Sequence, residues 1–282
     1  MKLSVSAWCV QKELFSGRMD LYDFVELCSI KSVQYVELLD CFFRDSDHIG
    51  ATLEHLENKG IAVSAFSIAN DFVQSAEKRE AEIEKVFKGV DTAVRLGAKY
   101  LRVFSGEQKE GVSYSESQEI IVESLIRCSE YAGQKGSTLV LENHGLLAGR
   151  SLQVKQIIEE VNSTSLRANF DTGNFLLVNE RPSDAVELLS DLIGYVHIKD
   201  LRRAHDKAGY HAVDGSVFEG TEIGCGDVDI PAVISALTAK KYNGFLSIEY
   251  EGEENQIVGT RNSIDFMKTI MRNTSLERII RT

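Results

Sequence analysis

No stretch of this chain reaches the ~18 consecutive uncharged apolar residues that a membrane-spanning helix needs. Yet 43% of its 282 residues are hydrophobic, so the apolar content is free to build a large core. The opening segment MKLSVSAWCVQKELF lacks a long apolar stretch and a small-residue cleavage site, so no signal peptide is expected. Cysteines are few and odd in number: Cys9, Cys28, Cys41, Cys128 and Cys225, with no CxxC pair. They read as reduced thiols of a cytoplasmic protein, not as a disulfide framework or a zinc ribbon. Positive charge is also short, and the net charge of −12 repels phosphate backbones, so nucleic acid is not an expected partner. With only two prolines there is no Pro/Ser-rich linker, and no low-complexity segment occurs either. One domain spanning 1–282 is expected, acting on a small molecule, with homo-oligomer formation left open.

What is present is an alternation of two periods. Strand-like runs occupy residues 3–8, 34–40, 61–68, 99–106, 137–145, 166–174, 193–200 and 245–252. Amphipathic helical stretches lie between them, for instance 81–98 and 115–136. Gly60, Gly97 and Gly136 stand where a helix would stop before the next strand. Eight β-α units predict a parallel sheet closed into a single (β/α)8 TIM barrel, an architecture that routinely takes ~200–250 residues as one unit. A doubly wound sheet is the alternative, but it would carry a glycine-rich phosphate turn after its first strand, and Trp8–Gln11 has none. The longest break between units is 201–227, and residues 273–282 read as a closing helix with a solvated charged face.

Barrel enzymes place their reacting groups at the C-terminal ends of the strands, and side chains two apart share a face. In LVLENH, Glu142 and His144 share a face; in RANFDTGN, Asn169 and Asp171 do. His197 and Lys199 are paired in YVHIKD, and Ser247 and Glu249 in LSIEYEG. Four successive strands thus turn Glu142, Asp171, His197 and Glu249 towards a common space. Three neighbouring carboxylates repel unless a cation joins them. Three oxygens and one imidazole nitrogen suit one divalent ion, Mn²⁺, Mg²⁺ or Co²⁺, with Zn²⁺ also compatible. Trp8, at the end of the first strand, offers an apolar face for a sugar. Lys199 offers a cation for an oxyanion. Arg202 and Arg203 offer guanidinium groups for a hydroxyl, carboxylate or phosphate. Gly224 and Gly226 in GCGD look like a phosphate loop but lack the following Lys-Ser/Thr; a turn into the next helix also explains them.

The segments LVLENH, ANFDTGNF, VHIKD, GCGDVDIPAVISAL and SIEY resemble, in order and spacing, the sugar phosphate isomerase/epimerase superfamily, the xylose isomerase-like TIM barrels. The resemblance covers essentially the whole chain. It implies that Glu142, Asp171, His197 and Glu249 hold one divalent metal ion and that Glu142 and Glu249 shuttle the proton. It also implies that Glu37 shapes the substrate pocket, and that Lys199 and Asp200 lie behind the ligands or touch substrate. Ketose epimerases of this family usually carry a further Glu six residues beyond the first ligand and a His three beyond the aspartate. Here those positions are Ala148 and Asn174, which points away from a free-sugar 3-epimerase. His144 is similar instead to a histidine of branches that dehydrate cyclic polyols and keto acids, where it acts as acid or base.

The expected function is a divalent-metal-dependent isomerase or epimerase of a small sugar, sugar phosphate or related polyhydroxy carbonyl compound. Catalysis would run by proton abstraction, with a Lewis-acidic cation stabilising the enediolate. A lyase on the same site, with His144 protonating the leaving hydroxyl, is the alternative. An abasic-site endonuclease shares the barrel but needs several more metal-binding histidines; six histidines in all and a charge of −12 argue against it. A degenerate binding barrel is opposed by the intact ligand set.

Overall fold

Each of the eight runs forms a parallel strand in the computed structural model, which describes residues 1–204 and 208–280, with side chains to 273. The strands are β1 (Lys2–Ser6), β2 (Tyr35–Leu39), β3 (Ala62–Ser67), β4 (Tyr100–Val103), β5 (Thr138–Glu142), β6 (Leu166–Asp171) and β7 (Ile193–Ile198). After β7 come three short strands, β8 (Leu201–Arg203), β9 (Tyr210–His211) and β10 (Val217–Gly220), and then β11 (Phe245–Ile248). β1 to β7 and β11 pair in sequence order, and β11 closes on β1 with Leu3 opposite Leu246. That last pairing decides for the barrel against the open doubly wound sheet. The predicted strands run two to four residues too far at several C-terminal ends. At β4, for example, the Phe104 amide bonds the Asn70 side chain (2.9 Å) instead of a neighbouring strand.

Outward-facing residues such as Leu101, Leu139, Leu141, Phe170, Val196, Ile198, Leu246 and Ile248 are fully buried beneath the helices. The predicted helices form at Ala76–Arg95 and Tyr114–Gln134, the second opened by a capping box between Ser113 and Glu116. Gly60, Gly97 and Gly136 all adopt the left-handed conformation that ends a helix, with φ of 65°, 69° and 72°. The closing helix spans Gln256–Ile280, while residues 281–282 lie outside the described residues.

Inside the barrel the inward residues lie in layers. At the bottom Phe245 packs against Tyr35, Tyr195 and Tyr100, with ring centroids 5.0, 5.9 and 6.4 Å apart. This plug leaves the C-terminal ends of the strands as the place for a cavity. Above it lies a buried polar layer, in which Ser4, Ser64 and the Tyr195 hydroxyl are joined by 2.7 Å hydrogen bonds. The break at 201–227 is not plain loop: β8, β10 and β9 form an antiparallel sheet beside the barrel mouth. All five cysteines are unpaired. Among the described residues no helix is long and apolar enough to cross a membrane.

Candidate metal centre

β5 and β6 end in Glu142 and Asp171, β7 carries His197 opposite Asp171, and Glu249 follows β11 directly. Alternation therefore aims all four inward at one height. One ligand atom from each lies within 4.8 Å of all the others, and all four residues are buried. His197 Nδ1 is at the centre, 3.4 Å from Glu142 Oε2, 3.5 Å from Glu249 Oε1 and 3.8 Å from Asp171 Oδ2.

The imidazole is aimed from below. Glu37 Oε1 and Oε2 each lie 3.0 Å from His197 Nε2. Glu37 is itself held by the hydroxyls of Ser67 (2.6 Å) and Ser247 (2.7 Å). A carboxylate on the far nitrogen keeps a proton there and leaves Nδ1 as the ligand atom. The resemblance implies a Glu37 that shapes the substrate pocket; it instead sits fully buried one layer beneath the cluster, as the support of His197.

Buried Asp171 Oδ2 accepts no hydrogen bond, and the cation nearest to it, Lys199 Nζ, stands off at 3.5 Å. Asn143 holds this residue's main chain, and Asn174 N–H donates to the other carboxylate oxygen, Oδ1 (2.8 Å). An orphaned carboxylate oxygen among three other ligand atoms is the environment a divalent cation satisfies, and the O₃N donor set is a hard one. The residues fit such an ion.

Cation-free, the cluster carries protons in the ion's place. Burial, with Glu249 and Glu142 adding to it, outweighs the pull of Lys199 and pushes Asp171 up to about 8. Burial opposes charge on His197 too, but Glu37 and Glu249 prevail and hold it well above the usual histidine range. Glu142 is buried as well, yet Arg102 and His197 keep it far below the usual carboxylate range. The unfolded-state value for Asp is ~3.9, below the folded one, so Asp171's contribution to stability is lost as pH rises from about 4 through about 8. Metal binding must displace these protons. Affinity for Mn²⁺ is therefore expected to rise with pH up to about 8, with proton release on binding below it. Calorimetry in two buffers of different ionisation enthalpy measures that release; its absence between pH 6 and 7.5 would disprove the coupling.

Above the cluster opens a cavity of about 280 Å³, to which Glu142, Glu249, Lys199, His144 and Trp8 all contribute. The Lys199 ammonium lies 3.1 Å from Glu249, 3.2 Å from Glu251 and 3.5 Å from Asp171. Trp8 donates its indole N–H to Glu251 (2.6 Å) and packs at 6.3 Å from both Phe15 and Phe42, forming an aromatic wall. Half-buried His144 packs against Phe104 with the rings tilted (centroids 4.7 Å apart), and its Nδ1 is 3.9 Å from Glu107. β5 ends before it, but the turn still delivers it to the cavity.

Other expected residues lie elsewhere. Arg203 is exposed, its guanidinium 5.6 Å over Phe218, and it borders a separate surface cleft. Arg202 pairs with Glu219 and Glu254. The GCGD loop is no phosphate cradle: Asp200 accepts from the amides of Gly224, Gly226 and Val228, and a Cβ at Gly226 would run into its carboxylate. Asp200 thus shapes this loop and does not face the cavity.

Arg102 and Glu251 are among the cavity residues that the sequence did not single out. Arg102, inward-facing on β4, places Nε 3.3 Å from Glu142 and its guanidinium 4.1 Å over Phe104. Glu251, in phase with Glu249, accepts from Trp8, Tyr210 and Lys199. The alternation argument, carried to β4 and three residues past β11, finds both.

The model of the xylose isomerase-like TIM barrel family matches residues 22–270. The chain belongs to that family. A relative, the inosose dehydratase of Geobacillus thermodenitrificans, is 25% identical over 208 residues, 67% of this chain and 67% of that protein. The chain spans 67% of the length of that relative and 60% of an inosose dehydratase of Clostridium perfringens. Among solved structures, the IolI protein with a bound zinc atom superposes with a TM-score of 0.78 at 18% identity, covering 97% of both chains. An L-ribulose 3-epimerase does so with a TM-score of 0.77 at 19% identity, covering 98% of both. The inosose dehydratase and the epimerase are enzymes, and this family member presents the buried carboxylate–histidine cluster that suits a metal ion.

Proposed function

We propose that this family member is a metal-dependent enzyme that removes a proton beside the carbonyl of a small polyhydroxy ketone and then expels a β-hydroxyl as water. The carrying observation is His144, a third proton-transfer group sharing the cavity with Glu142 and Glu249. Similarity to inosose dehydratase supports the same reading, as do Ala148 and Asn174 at the two positions that depart from the ketose epimerases.

Glu142, Asp171, His197 and Glu249 would hold the ion, which when bound supplies Lewis-acid polarisation of the substrate carbonyl. Glu142 or Glu249 takes the α-proton, and the electron pair left behind forms the carbon–carbon double bond as the β C–O bond breaks. His144 gives its proton to the departing hydroxyl, which leaves as water. Lys199 and Arg102 pair with Glu249 and Glu142 and hold the two proton-accepting carboxylates in place. The cavity has room for one monosaccharide-sized ring, and the Trp8–Phe42 wall suits its apolar face.

Isomerisation or epimerisation is the second reading, since it shares the first step and needs only Glu142 and Glu249 to return the proton. Incubation of Mn²⁺-loaded protein with inosose in deuterated water tests both. Loss of one water, read by mass spectrometry, is expected together with deuterium entry at carbon. Exchange without water loss would favour the isomerase. Turnover with neither water loss nor exchange would count against both readings.

A further inference from the structure

The charges lining the cavity decide a question that the ligand set leaves open: whether the substrate is anionic. Sugar phosphates and keto acids need a cation free to meet them. Among the described residues the cavity holds two cations, Arg102 and Lys199, against Asp40, Glu142, Glu249 and Glu251, with Asp171 just beneath. Arg102 is committed to Glu142, to the Ile68 carbonyl (3.0 Å) and to the Phe104 ring. Lys199 is surrounded by Glu249, Glu251, Asp171 and the Asn174 side-chain oxygen (3.3 Å).

These partners differ in kind. Glu249 and Asp171 belong to the four-residue cluster suited to a divalent ion, so a bound ion claims their charge. Glu251 stands outside that cluster. It is nearly buried and faces three donors: Trp8 Nε1 (2.6 Å), the Tyr210 hydroxyl (2.8 Å) and Lys199 Nζ (3.2 Å). Three convergent donors fix it as an ionised acceptor in one rotamer. An unbalanced charge at such depth is costly, and Glu251 is the group that keeps Lys199 balanced once the ion is in place.

We infer that Glu251 determines specificity by cancelling the charge of Lys199, so that the site accepts an uncharged polyol ketone and rejects phosphorylated or carboxylated analogues. The inference rests on the function proposed above for the substrate's polyol character. Its electrostatic content, however, can be read by binding alone. An anion entering this cavity would meet carboxylates with no surplus cation, and like-charge contacts of this kind suppress wrong ligands. Removing the charge of Glu251 would free Lys199 to receive one.

The test compares the affinities of Mn²⁺-loaded protein for myo-inositol and for quinate, a cyclic polyol of similar size that carries a carboxylate, by calorimetry. myo-Inositol 1-phosphate serves as a second anion. Wild type should bind inositol at least about tenfold more tightly than either anion. Glu251→Gln should shift that ratio at least about tenfold towards the anions, and Glu251→Asp, which keeps the charge, should stay close to wild type. Metal content and circular dichroism of each variant show that the site is intact. Wild type favouring the anions, no probe binding, or an unchanged ratio in Glu251→Gln each overturns the inference. So does an equal shift in Glu251→Asp, because it would show geometry rather than charge at work. Failure of inosose turnover with the inositol preference intact would defeat the proposed reaction and leave this inference standing.

Discussion

Asp171→Asn is expected to abolish divalent-metal stabilisation while leaving the cation-free fold as stable as wild type. In the absence of an ion, burial and the neighbouring carboxylates push Asp171 up to about 8, so at neutral pH it is largely the neutral acid. An amide of the same shape costs such a site little. With an ion present the comparison reverses, because Oδ2, the buried oxygen that accepts no hydrogen bond, is then a charged ligand. An ion at one hundred times its dissociation constant stabilises the wild type by about 2.7 kcal/mol. For a chain of this size that corresponds to a rise in Tm of about 5 °C. Asp171→Asn should show almost none of this rise and an affinity for Mn²⁺ lower by about 100-fold or more, since even outer supports of a metal site cost ~10–100-fold. Thermal melts with and without Mn²⁺, together with metal analysis, measure both. A full metal-induced shift in the variant would mean that the ion binds elsewhere.

The convergence of Glu142, Asp171, His197 and Glu249 was legible because strands of this barrel have two chemically different faces. Val196 and Ile198 face the helices while His197 faces the axis, and the period of two makes that visible without a structure. Height along the axis was not legible. Glu37 is inward like Glu142, but it is the middle residue of β2, whereas Glu142 is the last of β5. Strand stagger sets which of them reaches the cavity, and stagger is a property of the closed barrel. The role of Asp200 was hidden for a related reason, since the fold must bring residues 224–228 back over β7 before their amides can meet its carboxylate. β8, β9 and β10 escaped because strands of two to four residues, partly exposed, leave no apolar alternation to read. Arg102 left a signal, inward phase on β4, but a lone arginine in an apolar run acquires meaning only beside Glu142 and Phe104.

His144→Gln separates elimination from isomerisation. Both reactions begin with loss of the α-proton, and Glu142 and Glu249 suffice for that step and for its reversal. Hydroxide is a poor leaving group, so elimination also needs an acid beside the departing oxygen. Imidazole is the side chain best able to donate a proton at neutral pH. His144 is well placed to do so, because it lines the cavity and its ring is steadied by Phe104. Its other neighbour, Glu107, is no member of the ligand cluster, so replacing the imidazole leaves the metal site undisturbed. Glutamine preserves polarity and much of the volume but cannot give up a proton. Removal of a general acid typically costs ~10²–10⁴-fold in rate, and a loss of that size in water release from inosose is expected. Exchange of the α-hydrogen with deuterated solvent should continue at nearly the wild-type rate, because the carboxylate that removes it and the ion's ligands are untouched. That split, with exchange kept and elimination lost, is the signature of His144 as the acid. Equal loss of both would show that His144 orients the substrate for the first step. Full retention of both would leave His144 outside the chemistry and return the site to the isomerase reading, completed by Glu142 and Glu249 alone.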